Sequence, residues 1–247
     1  MSLNRRQWLR GAGLLLSGGA LASLPLPGRA APLEDPSLQE ALEVCTPPGD
    51  PLAAALERNR RFAEAWQASA GLADPQQRSA RLARIWKRSC QVDPVALARG
   101  QKPWMAMVSC ADSRVAADAI FTCGSGEIFE VACAGNTAFD EGIASLEYAV
   151  SVLGVTLILV MGHSGCGAVK AAMASKPLTP LLEKLVTPIR ASLVSGDDLT
   201  QAIQGNARYA AAQLTPRSPV LRAAAEAGSL QIRSAFFDVA TGLVTLL

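Results

Sequence analysis

The only histidine of the 247-residue chain, His163, ends an apolar run in the stretch "VMGHSGCGAV", and Cys166 follows three positions later among Gly162, Gly165 and Gly167. Where a strand turns into a helix, residues three apart share one face across a single turn, so imidazole and thiol can aim at one point. Upstream, "WMAMVSCADSR" ends a second apolar run and carries Cys110, Asp112 and Arg114 at period-two spacing. In an extended segment that spacing puts all three on one side. Thiolate and imidazole are preferred zinc ligands, and tetrahedral zinc needs four donors. Cys110, His163 and Cys166 give three, and no second histidine exists to close the shell. Taken singly, a cysteine is usually a small core residue and a histidine after a strand a hydrogen-bonded one. Only their combination with Asp112 and Arg114 favours ligation.

The elements that must bring these residues together are legible from Pro103 onward. "WMAMVSC", "EIFEVAC" and "VTLILVMG" read as short strands, and a helix from Asp140 to Leu153 shows Ile143, Leu146, Val150 and Leu153 at helical spacing, with Gly154 as its stop. "VTLILVM" is apolar without alternation, which predicts a strand covered on both faces in a parallel sheet. Further helices are expected at 178–193, 198–213 and 216–227, and the end of the chain reads as strand, Thr241-Gly242 turn and strand. The fold class is α/β, a central mostly parallel β-sheet with crossover helices. Ligands of such sheets bind at the strands' carboxyl ends, where both motifs fall.

Before the core, "LAAALERNRRFAEAWQAS" can place Leu52, Leu56, Phe62 and Trp66 on one helix face, and a second helix is expected over Gln76 to Ser89, marked by Leu82, Ile85 and Trp86. Residues 31–50 read as an irregular arm, helical only near Leu38–Val44. Residues 51–247 form one α/β domain, with 51–100 a helical arm and 101–247 the core. Lys and Arg total 23 against 21 Asp and Glu, without a like-charge block of the kind a nucleic-acid footprint needs. Four of the arginines, Arg5, Arg6, Arg10 and Arg29, stand in residues 1–30, where no acid does. That segment has the charged start, apolar middle and small-residue end of a secretory signal, and Arg5-Arg6 resembles the twin-arginine signal for proteins exported folded. Engagement of the export machinery and a periplasmic, bacterial location are therefore expected. Cys45, Cys90, Cys123 and Cys133 read as buried apolar residues, with one disulfide among them an alternative after export.

The ordered series "LERNRRF", "GQKPWMAMVSCADSRV", "SGEIFEVACAGN", "ASLEYAV", "HSGCGA" and "FFDVATGLV" resembles the β-class carbonic anhydrases, from about Pro51 to Leu247. The resemblance implies that Cys110, His163 and Cys166 hold one catalytic Zn2+ per chain, and that Asp112 and Arg114 form a dyad. In the family's open form Arg114 would hold Asp112 off the metal, and in a closed form Asp112 would itself be a metal ligand. A zinc-bound hydroxide would then convert carbon dioxide reversibly to bicarbonate and a proton. Gln101 resembles the family's donor to substrate oxygen, and Phe129 and Tyr148 its pocket aromatics, with plain core packing the alternative for the aromatics. Gly167 would let backbone approach the pocket, and Gly162 and Gly165 would permit the turn. Pocket residues of the family come partly from a neighbouring subunit, so a homodimer or larger even assembly is implied. Ala132-Cys133 departs from the Arg-containing pair usual before Ala-Gly-Asn, and no histidine remains to shuttle protons. Two alternatives follow: hydrolysis of carbon disulfide or carbonyl sulfide on the same fold, or a non-catalytic zinc or redox-sensing module.

Overall fold

Leu157–His163 is buried at every position, because the strand it forms, β3, has a neighbour on each side and helices on each face. In the computed structural model, which describes residues 35–87 and 89–247, β3 lies between β1, Met105–Ser109, and β4, Gln231–Phe237. β2, Ile128–Ala132, pairs with the outer side of β1, and β5, Val244–Leu246, forms the opposite edge. All neighbours run parallel except β4 and β5, which form the antiparallel pair expected around Gly242. The α/β fold read from the apolar runs is the one observed.

Side chains leave the central strands alternately to two cores. Met105, Met107, Leu157, Leu159 and Met161 face one way, toward Phe62 of α2, Pro51–Ala70, and Ile120 of α5, Ala117–Ile120. Ala106, Val108, Ile158 and Val160 face the other way, toward Leu146 of α6, Asp140–Ser151, Leu214 of α9, Leu199–Arg217, and Leu221 of α10, Pro219–Glu226. Burying each such aliphatic side chain contributes about 1.5–3 kcal/mol, so a polar residue anywhere in β3 would be costly. As expected, Leu52, Leu56 and Trp66 accompany Phe62 against the sheet.

Four helices start with the same signal. Asp35-Pro36, Asp50-Pro51, Asp74-Pro75 and Asp93-Pro94 begin α1, Pro36–Glu43, then α2, then α3, Pro75–Trp86, and α4, Pro94–Leu97. In each the aspartate accepts a backbone N–H of the first turn while proline supplies a residue whose missing N–H is not needed there. This cap starts α1 at Pro36, earlier and longer than the short helical stretch expected in the 31–50 arm. α1 packs on α4 through Leu38, Leu42, Cys45, Val92 and Ala96, and Cys45 is disulfide-bonded to Cys90. α3 lies with no residue fully buried, and Trp86 stays 41% exposed.

α9 continues through Pro216 instead of ending before it. Pro216 falls in the helix's last turn, and the break comes at Ser218, whose Oγ accepts the N–H of Leu221 to cap α10 ahead of Pro219. α7, Gly167–Met173, and α8, Pro180–Arg190, complete the elements among the described residues and pack on α9 and on each other. Among the described residues no helix is long and apolar enough to cross a membrane. The expected export signal, residues 1–30, lies outside the described residues.

Candidate metal centre

β1 and β3 are neighbours, with Val108 opposite Val160, so Cys110 and His163 emerge at adjacent carboxyl ends. The chain leaves β1 toward β2 on one side and β3 toward β4 on the other, which makes this the switch point of the sheet. Here the ligating atoms of Cys110, His163 and Cys166 all lie within 4.8 Å of one another, and all three residues are buried. Val169, Val186, Ile189, Ile203 and Phe236 surround the thiols with apolar side chains.

Each donor is oriented by backbone. His163 Nδ1 lies 3.2 Å from the carbonyl of Ser164, which can only accept, so this nitrogen carries the proton. Nε2 is left buried without a protein partner among the described residues. An acceptor nitrogen facing two thiols is what a bound metal needs, with the Nδ1 hydrogen bond fixing the tautomer. Cys110 Sγ accepts the Gly135 N–H at 3.2 Å and stands 4.0 Å from Cys166 Sγ. The Cys166 thiol and the Gly135 N–H hold Cys110 well below the usual thiol range, and the Cys110 thiolate in turn raises Cys166. The donor set thus fits zinc in softness, number and burial, with one position left to fill.

Asp112 and Arg114 sit at the rim. Period-two alternation does not bring them together, contrary to the sequence expectation: the Val115 N–H bonds to the Asp112 carbonyl at 2.9 Å, so the strand gives way to a turn at Asp112. That turn brings the Arg114 N–H to Asp112 Oδ1 at 3.0 Å and folds the guanidinium back, Nε to Oδ1 at 2.8 Å and Nη2 to Oδ2 at 2.7 Å. Arg114 holds the carboxyl far below the usual range, and His163 Nε2 stands 3.8 Å from Oδ2.

The remaining predicted residues stand elsewhere. Gln101 is exposed ahead of β1, at the end of that strand opposite Cys110. With Tyr148, 46% exposed on α6, it lines a groove of about 1250 Å³ at the strands' amino ends. Phe129 lies in β2, its ring centroid 6.3 Å from that of Tyr148. One chain therefore does not bring Gln101, Phe129 or Tyr148 to the thiols. Gly167 opens α7 beside Cys166, and a Cβ there would meet nothing within 4 Å among the described residues, so no protein neighbour requires glycine at that position. Gly165 does need its freedom, at φ +68°, whereas Gly162 belongs to β3 and is small because a Cβ would press on Ile203 Cγ2 at 2.9 Å. Sequence reasoning missed Gly135 and Asn206, whose Nδ2 donates to the Gly135 carbonyl at 2.8 Å. The available signal was Ala-Gly-Asn standing after β2 as Cys-Ala-Asp stands after β1; Gly135 takes φ +83°. Cys133, in the altered pair, is half-buried with Sγ 3.3 Å from Thr137 Oγ1.

A family model described as carbonic anhydrase matches residues 105–244, the stretch from β1 into β5 that holds the whole centre. The chain belongs to the carbonic anhydrase family, in its β class. Carbonic anhydrase 2 of Mycobacterium tuberculosis is 53% identical over 79 residues, covering 32% of this chain but only 38% of that relative's length. The carbonic anhydrase of Mycolicibacterium smegmatis is 33% identical over 160 residues, 61% of this chain and 78% of the relative. Among solved structures, a tetrameric β-carbonic anhydrase from Sordaria macrospora has a TM-score of 0.56 at 25% identity, covering 61% of this chain and 83% of that one. The Coccomyxa β-carbonic anhydrase in complex with acetazolamide has a TM-score of 0.53 at 26% identity, covering 81% and 87%. Within this family the convergence of Cys110, His163 and Cys166 beside a paired Asp-Arg places the candidate centre at the strand ends that the fold makes available.

Proposed function

We propose that the chain catalyses the reversible hydration of carbon dioxide to bicarbonate and a proton, at a zinc ion held by Cys110, His163 and Cys166. The observation that carries this is the meeting of one imidazole and two thiols within 4.8 Å at adjacent strand ends, with Asp112 held next to them by Arg114. Zinc bound there supplies the Lewis acidity that makes water nucleophilic near neutral pH. The chain's own groups do the rest. The Ser164 carbonyl keeps the His163 Nδ1 proton, the Gly135 N–H stabilises the Cys110 thiolate, and apolar side chains exclude bulk water. The double hydrogen bond from Arg114 supports the open reading, in which the ionised Asp112 stays off the metal and can accept a proton-bearing partner. With no second histidine, the released proton leaves through water or buffer.

Gln101, Phe129 and Tyr148 are read as residues offered to a partner's centre, which makes the enzyme a homodimer or larger even assembly. The place of Gln101 and Tyr148 in an open groove away from the chain's own thiols, with Phe129 beside Tyr148, supports this, as does the tetrameric relative. All the relatives described above are carbonic anhydrases, so neither the sulfur substrates nor a non-catalytic module is favoured. Export through the Arg5-Arg6 signal to the periplasm is part of the proposal, supported by the Cys45–Cys90 disulfide, a bond that persists in oxidising compartments. Stopped-flow CO2 hydration beside a His163→Ala control tests the function, and equal rates in the two would overturn it. Fractionation of a host expressing the chain with Arg5 and Arg6 both changed to Lys tests the export, which predicts loss from the periplasm.

A further inference from the structure

Gln101 lies on a segment without secondary structure, yet its neighbours are held from several directions. Before it, Gly100 lies under Leu42 of α1, so near that a Cβ there would meet Leu42 Cδ1 at 3.3 Å. After it, Lys102 Nζ pairs with Glu43 of α1 at 3.4 Å. Trp104 then donates its Nε1–H at 3.0 Å to Glu127 Oε2, the oxygen that Arg58 Nη1 grips at 2.6 Å. Arg58 Nη2 also donates to the Cys45 carbonyl at 3.2 Å. The contacts at Gly100, at Lys102 and between Arg58 and the Cys45 carbonyl depend on where α1 and the Cys45 just beyond it are seated.

α1 has eight residues, too few to persist alone in water, where helices below roughly 12 residues are marginal. Its apolar contacts form a small cluster separate from the two cores of the sheet. The covalent fastening is the disulfide to Cys90, and Cys90 is itself seated on the main body: its carbonyl lies where a Cβ on Gly124 would meet it at 2.9 Å. The bond therefore ties α1 to backbone packed against Gly124, and α1 in turn ties down Gly100 and Lys102.

We propose that Cys45 and Cys90 are positioning residues for Gln101: their disulfide seats α1 against the Gly100–Lys102 segment, and opening it releases the glutamine from its working position. Catalytic efficiency then follows the redox state of a bond remote from the metal. This rests on the reading of Gln101 as a substrate-binding residue. For a dithiol reductant, one thiolate attacks a sulfur of the bond and the second thiolate of the same molecule displaces the mixed disulfide. Two electrons and two protons end on Cys45 and Cys90, and the reductant leaves as its own cyclic disulfide.

The experiment compares the zinc-loaded, oxidised enzyme with the Cys45→Ser and Cys90→Ser variants, alone and combined with Gln101→Ala. Wild type opened by a dithiol that is then removed covers the case in which a serine variant folds poorly. CO2 hydration gives kcat and KM, metal analysis gives zinc per chain, and amide hydrogen exchange reports on residues 97–102. Loss of the bond is expected to lower kcat/KM about tenfold or more with zinc unchanged, since small misplacements of positioning groups are that costly. Exchange at Arg99 and Gly100 should accelerate, and in the Gln101→Ala background the cysteine change should cost nothing further. A bond that only stabilises would lower the melting temperature and leave the kinetics of the folded enzyme alone; that result, unchanged exchange, or losses that multiply in the combined variants would each overturn the clamp. Oxidised wild type hydrating CO2 at the buffer rate would instead sink the proposed function.

Discussion

Arg114 holds both carboxylate oxygens of Asp112, at 2.8 and 2.7 Å, and its Nη2 also reaches the carbonyl of Gly165 at 3.2 Å. One guanidinium thus links the turn after β1 to the loop that carries Cys166. The planar fork matters as much as the charge, because an ammonium cannot make two parallel contacts and a third to a carbonyl in that geometry.

Arg114→Lys should therefore keep the metal and lose rate. Losing one of the two parallel contacts loosens the carboxylate's position, so kcat/KM is expected to fall about tenfold to a hundredfold. Stopped-flow rates set beside zinc content check this; a variant as fast as wild type would remove the dyad from the mechanism.

The lowered Asp112 carboxyl has a defined effect on stability. A carboxyl depressed in the folded state stabilises fully above its ordinary value of 3.8, and that contribution is lost as pH falls through the folded value. Melting curves of wild type and Asp112→Asn should differ most near neutrality and converge toward strongly acidic pH. A gap that widened on acidification would reverse the sign of the pairing.

Activity should rise toward alkaline pH. Two thiolates cancel the formal charge of a divalent ion and weaken its pull on a water's proton, relative to three-histidine sites whose water titrates at about 7. Asp112 is ionised well below this window and does not contribute to the rise. A kcat profile flat from mildly acidic to alkaline buffer would count against the charge argument.

Glu127, 2% exposed, receives Arg58, the Trp104 indole and the Gly124 N–H. Arg58→Met removes the compensating cation, with its bond to the Cys45 carbonyl, and leaves the carboxylate buried, which typically costs about 3–5 kcal/mol. Chemical denaturation should show a loss of that order, whereas Arg58→Met with Glu127→Gln should recover part of it.

The sheet could be read from the sequence because β1 and β3 are apolar on both faces, a pattern that few arrangements other than a central parallel strand can bury. The centre could be read because its five chemical residues fall in two short windows, each just past such a run. What escaped were contacts that join distant segments through backbone. The Gly135 N–H on Cys110 and the Asn206 amide on Gly135 depend on how β2 and α9 end, which no local pattern encodes. The dyad's geometry was misjudged for a local reason: the Asp112 side chain competes with strand hydrogen bonding and starts a turn. The partner of Cys45 was likewise open, since spacing among four remaining cysteines does not select a pair, and only the packing of α1 on α4 brings Cys90 within reach.

The donors come from two neighbouring strands that are not consecutive in the chain, because β2 and the crossover α6 intervene between Cys110 and His163. A nascent chain in which β1 has not found β3 offers the proposed zinc only His163 and Cys166, without the Cys110 thiol. Full ligation by the three would then require an assembled sheet, and the free energy of capture would be drawn into the folding equilibrium itself.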